Sequence, residues 1–192
     1  MNLPNKLTIL RVIMVPLVVL VYLCIDPSVM IFDPTSGLAL RDVLAFLIFA
    51  IASFTDLLDG YIARKNNLIT SFGKFVDPLA DKMLVNTLLI LMVYVHQVSV
   101  IAVLLMIVRD LMVDGLRMLA SQHGEVVSAG FFGKLKTVFQ MIAICLVLLR
   151  NWPFVFIGIP VDQIMIWLAT FASVYSGWIY FVQLKKYVLE SM

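Results

Sequence analysis

Four aspartates stand close together in the sequence, near the facing ends of two apolar segments, and their spacing suggests chemistry. Asp56 and Asp59 are three residues apart, and Asp77 and Asp81 are four residues apart. At about 100° per residue, each pair shares one face of a helix. Carboxylates in apolar surroundings need cationic partners, and their hard oxygens suit Mg²⁺ or Mn²⁺ better than Zn²⁺. The pattern therefore predicts a site for two divalent cations, with the four aspartates as ligands.

Small residues accompany both pairs of acids. Gly60 and Ala63 fall within the same arc of about 100° as the first pair, and Gly73 lies in the arc of about 80° that holds the second. Such residues leave room for a bulky group to approach the backbone beside the metals. Arg64 adds a cation suited to phosphate. These residues predict that a phosphate-bearing ligand binds next to the metals.

Two other interpretations compete with this one. The acids could pair with Arg64, Lys74 and Lys82 near a membrane surface, and the glycines could then serve close helix packing. Alternatively, the acids could bind cations for transport across a membrane. Surface pairing does not explain why four acids are arranged by helix face with small residues between them. Transport sites lie near the midplane of the membrane, whereas these acids lie at one end of the spans.

The composition indicates a membrane protein. Apolar residues make up 62% of the 192 residues and charged residues 14%, against roughly 45–50% and about 25% in soluble domains. The net charge is only +2, and no stretch interleaves basic and aromatic residues densely, so nucleic acid is not an expected partner.

Six apolar segments are long enough to cross a bilayer, which requires about 20 residues of helix. They predict an all-α membrane protein with six transmembrane helices, in which residues 1–192 form a single integral membrane catalytic domain. The segments run approximately over Leu7–Ile25, Leu40–Ala63, Phe75–Val95, Val98–Leu119, Phe131–Leu149 and Val161–Val182.

Lysine and arginine are distributed unevenly among the ends of these segments. Most of them fall at ends that an even number of spans places on one side, and the opposite ends show only Arg41 and Arg150. By the positive-inside rule, the basic side is the cytoplasm. Both termini and the aspartates are therefore predicted to be cytoplasmic.

The acids and small residues together resemble the signature of the CDP-alcohol phosphatidyltransferases. Eight positions carry the resemblance, in the order Asp56, Asp59, Gly60, Ala63, Arg64, Gly73, Asp77 and Asp81. The resemblance implies a six-helix membrane fold, a homodimer and a CDP-linked donor bound at the cytoplasmic face.

The resemblance also implies separate roles for these residues. Asp56, Asp59 and Asp77 would hold the metals, and Asp81 would both contact metal and act as the base toward the acceptor hydroxyl. The residues expected to frame the cytidine diphosphate are Asp56, Gly60, Ala63, Arg64 and Gly73.

Cations elsewhere could bind a phosphorylated acceptor. Arg109 and Arg117 are about 80° apart on the fourth segment, and Arg109 lies in an apolar run, where an unpaired guanidinium would favour an anionic ligand. Alternatively, Arg117 could form an internal charge pair with Asp110 or Asp114, which lie in the same narrow arc. Arg11 is a further candidate for the acceptor phosphate.

Two lysines open the fifth segment. Lys134 and Lys136 are about 200° apart, so they are not expected to face the same pocket. The resemblance favours Lys134 as an acceptor ligand.

Three further segments are similar to the bacterial phosphatidylglycerophosphate synthases of that family. They begin at Leu3, Arg109 and Gly133, and Asp110 stands where many members have glutamate. This similarity implies transfer from CDP-diacylglycerol to glycerol 3-phosphate in the bacterial cytoplasmic membrane, in contact with membrane lipids. An inositol-phosphate acceptor, another CDP-alcohol transferase, a cation transporter and a silent scaffold are the alternatives.

Overall fold

The computed structural model describes residues 2–31, 37–65, 70–125 and 130–190, and in these ranges the chain forms six α-helices. A short 3-10 helix, Phe154–Ile157, precedes the last of them. The helices are α1 (Leu3–Cys24), α2 (Leu40–Lys65), α3 (Ser71–Tyr94), α4 (Val100–Gln122), α5 (Phe131–Leu148) and α6 (Val161–Glu190). Each begins within four residues of a predicted segment's start, so the all-α, six-helix prediction is confirmed.

Four of the six described helices are long and apolar enough to cross a membrane. They are α1, α2, α5 and α6, with candidate spans Pro4–Cys24, Leu40–Ile62, Phe131–Leu148 and Val161–Tyr187. The other two, α3 and α4, carry several charged side chains each. That these two helices also cross the membrane stays a prediction.

The chain divides into two compact units, of residues 1–94 with 148–152 and residues 95–147 with 153–192. In the first unit, α1 packs against both α2 and α3. Ala45, Ala52 and Ala80 are fully buried in this unit. Small side chains let helices approach closely, which is how helices associate where lipid removes the hydrophobic driving force. The prediction of a single catalytic domain is not tested by this division.

The face of α1 that points away from the core shows why so many residues of this chain are apolar. Leu10, Ile13, Leu17 and Leu20 recur every three or four residues and are 40–57% exposed. A helix with one apolar face in the core and another exposed to its surroundings is suited to lipid. This protein is a membrane protein.

In the second unit, α4 packs against α6. The buried residues of α4 recur at intervals of three or four, and Asp110 belongs to this buried face. Toward the end of the two helices, Val113, Leu116 and Ala120 meet Tyr180 and Leu184 in an apolar cluster. This packing fixes which side chains of α4 face α6, and therefore where the charged groups of α4 must find partners.

Candidate active site

The four aspartates, here called the acidic cluster (Asp56, Asp59, Asp77 and Asp81), belong to the first unit. Asp56 and Asp59 lie on α2, and Asp77 and Asp81 lie on α3. Asp59 is almost completely buried, whereas the Asp56 side chain is 44% exposed. The cluster therefore combines a buried carboxylate with an accessible one on the same helix.

Arg11 of α1 joins the two aspartates of α2. Its Nη1 atom lies 2.8 Å from Asp56 Oδ1, and its Nη2 atom donates to Asp59 Oδ2 at 2.7 Å. The Arg11 side chain is only 1% exposed. Burial of this guanidinium is tolerated because it has two carboxylate partners. The predicted role of Arg11 toward the acceptor phosphate stays a prediction, but its contacts in this unit are to the acidic cluster.

α1 also supplies a polar partner to α3. The Thr8 hydroxyl donates a hydrogen bond to Asp77 Oδ1. At the start of α3, Thr70 Oγ1 accepts from the Gly73 backbone N–H at 3.0 Å and donates to Asn5 Oδ1 at 2.9 Å. A threonine in this position caps the helix by satisfying a free N–H of its first turn. The N-terminal segment thus orients both halves of the acidic cluster.

Gly73 is closely surrounded in this arrangement. A Cβ atom there would lie 3.3 Å from Asn5 Oδ1, 3.3 Å from Thr70 Oγ1 and 3.5 Å from Asp77 Oδ2. The space beside this glycine is therefore occupied by polar side chains of the protein, which the sequence did not reveal. Its expected role in framing a donor stays a prediction.

Some of the predicted donor ligands are described only in part. Gly60 follows Asp59 directly on α2 and is half-buried. The side chains of Ala63, Arg64 and Lys74 lie outside the described residues, so their expected contacts are not tested.

The donor atoms of the acidic cluster fit hard divalent cations, since all of them are carboxylate oxygens. Among the residues that the structure describes, no three acidic, histidine or cysteine side chains converge on one metal position. The Arg11 contacts account for this in part, because one guanidinium holds both carboxylates of α2. A metal that bound Asp56 and Asp59 together would replace these two ion pairs.

The second unit contains a group of cations, here called the cation cluster (Arg109, Arg117 and Lys136). Arg109 Nη1 lies 2.8 Å from Asp110 Oδ1, and Lys136 Nζ lies 2.6 Å from the other oxygen of the same carboxylate. Arg109 thus has a carboxylate partner within the protein, and its expected role toward the acceptor phosphate stays a prediction. Asp110 can reach both cations because it lies on the buried face of α4 and α5 contributes Lys136 to this unit.

Arg117 has a neutral partner. Its Nη2 atom donates to the Tyr180 hydroxyl at 2.7 Å, while the described contacts of Asp110 are with Arg109 and Lys136. An ion pair within α4 therefore occurs between Arg109 and Asp110. Arg109 Nε and Arg117 Nε are both buried without a hydrogen-bond partner among the described residues, and buried donors of this kind favour an anionic ligand.

The two lysines of α5 face different directions, as their angular separation predicts. Lys134 is exposed, whereas Lys136 is 6% exposed and bonded to Asp110. The place of Lys136 in the cluster was not predicted from the sequence. Spacing was the available signal, because Lys136, Gln140 and Ile144 recur every four residues and so share one helix face, which the structure buries.

An open cavity of about 210 Å³ lies beside the cation cluster, where α5 begins and α6 passes. Its lining includes Gly130, Gly133, Ser176 and Tyr180. Ser176 and Tyr180 also contact Arg109 and Arg117. Two lining residues of the cavity are therefore also direct partners of the arginines of the cation cluster.

The chain belongs to the CDP-alcohol phosphatidyltransferase family, whose model matches residues 1–175. Curated relatives include the CDP-diacylglycerol–glycerol-3-phosphate 3-phosphatidyltransferase of Bacillus subtilis (strain 168), which is 41% identical over 180 residues covering 94% of this chain and 93% of its own length. The protein of the same name from Rickettsia bellii is 37% identical over 188 residues, covering 97% of each chain. A third, from Haemophilus influenzae, is 39% identical over 149 residues, covering 74% of this chain and 73% of its own.

Proposed function

We propose that this membrane enzyme transfers the phosphatidyl group from CDP-diacylglycerol to glycerol 3-phosphate, giving phosphatidylglycerophosphate and CMP. The observation that carries the proposal is similarity over almost the full chain to several relatives that bear the name of this activity. A cation transporter would not account for that similarity, so the enzyme is preferred to the transport alternative.

The reaction breaks a phosphoanhydride bond of the donor and forms a phosphate ester bond to the acceptor. The free primary hydroxyl of glycerol 3-phosphate attacks the phosphorus that carries the lipid, and the bond from that phosphorus to the bridging oxygen of CMP breaks. The hydroxyl proton passes to a base, for which Asp81 is proposed because it is a half-buried carboxylate of the acidic cluster. CMP departs with the electrons of the broken bond.

Two divalent cations, Mg²⁺ or Mn²⁺, are proposed as cofactors held by the acidic cluster. When bound, they would neutralise the charge of the pyrophosphate and stabilise the departing CMP. Asp56, Gly60, Ala63, Arg64 and Gly73 are proposed to bind the CDP portion of the donor. Chelation should abolish CMP release, and Mg²⁺ or Mn²⁺ should restore it, whereas turnover that persists in excess chelator would contradict the metal proposal.

The cation cluster is proposed to bind the phosphate of the acceptor. Arg109 and Arg117 each keep a buried Nε donor without a described partner, which a phosphate oxygen could satisfy. Lys136 joins the cluster through Asp110. Lys134 and Arg11 remain candidates by resemblance, Lys134 as an exposed cation at the start of α5 and Arg11 as a neighbour of the acidic cluster.

The location and assembly also belong to the proposal. The distribution of lysine and arginine supports a multi-pass protein of the bacterial cytoplasmic membrane with both termini and the active site in the cytoplasm. The family resemblance supports a homodimer. Membrane lipids would surround the exposed apolar faces of the helices.

Acceptor profiling of the purified protein tests the function. CMP release is measured with CDP-diacylglycerol and, in separate reactions, with glycerol 3-phosphate, inositol phosphate or serine. We expect release with glycerol 3-phosphate alone. Release with inositol phosphate or serine but not with glycerol 3-phosphate would overturn the acceptor assignment and leave the family assignment intact.

A further inference from the structure

α6 presents three residues to the arginines of the cation cluster within little more than one helical turn. Ser176 Oγ accepts a hydrogen bond from Arg109 Nη2 at 2.6 Å. Tyr180, four residues later, accepts from Arg117 Nη2 at 2.7 Å. Gly177 lies between them. Both arginines of α4 thus depend on one short segment of α6 for their orientation.

Gly177 gives Arg109 the space to cross α6. A Cβ atom at this position would lie 2.7 Å from Arg109 Cγ, a distance that real Cβ contacts essentially never show. Cγ belongs to the inner part of the arginine side chain, so the clash could not be relieved by moving only the guanidinium. Any larger residue at 177 would therefore change the path of Arg109.

Tyr180 fixes Arg117 through both its hydroxyl and its ring. The hydroxyl accepts from Arg117 Nη2 and also from the Gly130 backbone N–H at 2.8 Å. The centre of the ring lies 4.8 Å from the Arg117 guanidinium carbon and 5.9 Å from that of Arg109. The tyrosine thus links α4 to the residue preceding α5, and its ring lies against both guanidinium groups.

The neutrality of these partners matters for an anion site. A carboxylate partner would orient an arginine but would also offset part of the positive charge, as Asp110 does where it is shared by Arg109 and Lys136. A phenolic hydroxyl orients the guanidinium and leaves its full positive charge to attract a ligand. Burial of Arg117 Nε without a described partner means that one donor remains for that ligand.

We propose that Gly177 and Tyr180 are positioning residues that set the affinity for the acceptor phosphate by holding Arg109 and Arg117 in place. This inference rests on the proposed function, in which these two arginines bind glycerol 3-phosphate.

Tyr180→Phe is the sharpest test, because it removes only the hydroxyl. We expect the KM for glycerol 3-phosphate to rise about 10-fold or more, as for loss of one hydrogen bond to a charged group. The KM for CDP-diacylglycerol and kcat should stay near the wild-type values. Tyr175→Phe, on the same helix, is the matched control, because its ring contacts with Phe132 and Phe171 survive the change.

Gly177→Ala should raise the acceptor KM more than Tyr180→Phe does, since it displaces the stem of Arg109. Gly115→Ala on α4 is its control, because a Cβ there meets no atom within 4 Å. Melting temperatures of Tyr180→Phe, Gly177→Ala and their two control variants establish whether each of them folds. If Gly177→Ala does not fold, Tyr180→Phe still decides the proposal.

A double variant separates positioning from general structural damage. In an Arg117→Gln background, Tyr180→Phe should add little further loss, because its effect passes through Arg117. Equal losses in donor KM, acceptor KM and kcat, or a wild-type acceptor KM in Tyr180→Phe, would overturn the proposal. If the wild-type enzyme releases no CMP with glycerol 3-phosphate, it is the proposed function that fails, and Tyr180→Phe is then tested with the acceptor that is used.

Discussion

The acidic cluster and the cation cluster treat buried charge in opposite ways. In the first unit one cation, Arg11, is shared by two carboxylates on α2, while a neutral hydroxyl contacts a third carboxylate on α3. In the second unit one carboxylate, Asp110, is shared by two cations, while a neutral hydroxyl contacts a third cation, Arg117. Among these contacts, carboxylates outnumber cations in the acidic cluster, and cations outnumber carboxylates in the cation cluster.

The two clusters are therefore suited to bind ligands of opposite charge. An excess of carboxylates favours metal cations, and an excess of guanidinium and ammonium groups favours a phosphate. Asp42 of the first unit provides a structural case, because it is fully buried and accepts from Arg150 Nε at 2.9 Å and from the Tyr22 hydroxyl, with Arg41 Nε at 3.7 Å. These partners satisfy its carboxylate within the protein, so we expect Asp42 to stabilise the fold and not to bind a ligand.

The largest effect is expected at Asp81. Replacement by Asn removes the proposed base and weakens a proposed metal ligand, and general acid–base catalysis alone contributes about 10²–10⁴-fold, so kcat should fall by at least that order. CMP release in steady-state kinetics measures this. Asp26→Asn is the control, because Asp26 is exposed and Asn can still accept from the Ser28 N–H. Full turnover by Asp81→Asn would show that Asp81 of the acidic cluster is not the base.

Arg117→Gln should act on the acceptor alone. Loss of a hydrogen bond to a charged group costs roughly 1.5–3 kcal/mol, so the KM for glycerol 3-phosphate should rise about 10–100-fold with the donor KM unchanged. Lys185→Gln, an exposed cation of α6, should leave both values unchanged. A rise in the donor KM equal to that in the acceptor KM would show that the cation cluster does not discriminate between the substrates.

Asp42→Asn should change stability but not kinetics. Breaking a buried ion pair costs about 3–5 kcal/mol, and on the order of 2 kcal/mol is expected here because Arg150 is partly exposed. For a chain of this size that lowers the melting temperature by about 4–8 °C. Thermal unfolding in detergent measures it. An unchanged melting temperature with impaired turnover would mean that Asp42 belongs with the functional charges.

The smallest effect is expected at Glu125. Hydrogen bonds from the Tyr187 hydroxyl and then the Lys186 ammonium hold the pKa of this exposed carboxyl below its ordinary value of 4.5. A lowered folded pKa stabilises the protein above the unfolded pKa, and this contribution is lost as the pH falls through the folded pKa. At pH 7 the contribution is present, but it is small because exposed pairs contribute little to stability. Glu125→Gln, which removes it, should therefore barely change the melting temperature at pH 7. A large fall in the melting temperature at pH 7 would show that this exposed pair stabilises the protein as much as the buried charged clusters do.

Helical periodicity was enough to predict the pairs of acids and the separation of Lys134 from Lys136. It could also have indicated the polar face of α6, where Thr170, Ser173 and Ser176 are buried at intervals of three. It could not predict that Arg109 would find a partner in Ser176, which is 67 residues away. Such a contact depends on how α4 and α6 pack, and a single helix pattern carries no information about its neighbour.

The sequence by itself determined the membrane setting, the six helices and the grouping of four acids on two helix faces, because composition and spacing act locally. Only the tertiary structure decided the partners of the buried charges. Arg11 and Arg109 were both predicted to bind the acceptor phosphate; within the protein, Arg11 contacts Asp56 and Asp59, and Arg109 contacts Ser176 as well as its neighbour Asp110. The contacts of Arg11 and the Arg109–Ser176 contact join helices that are far apart in the chain, so they depend on helix packing and not on local spacing.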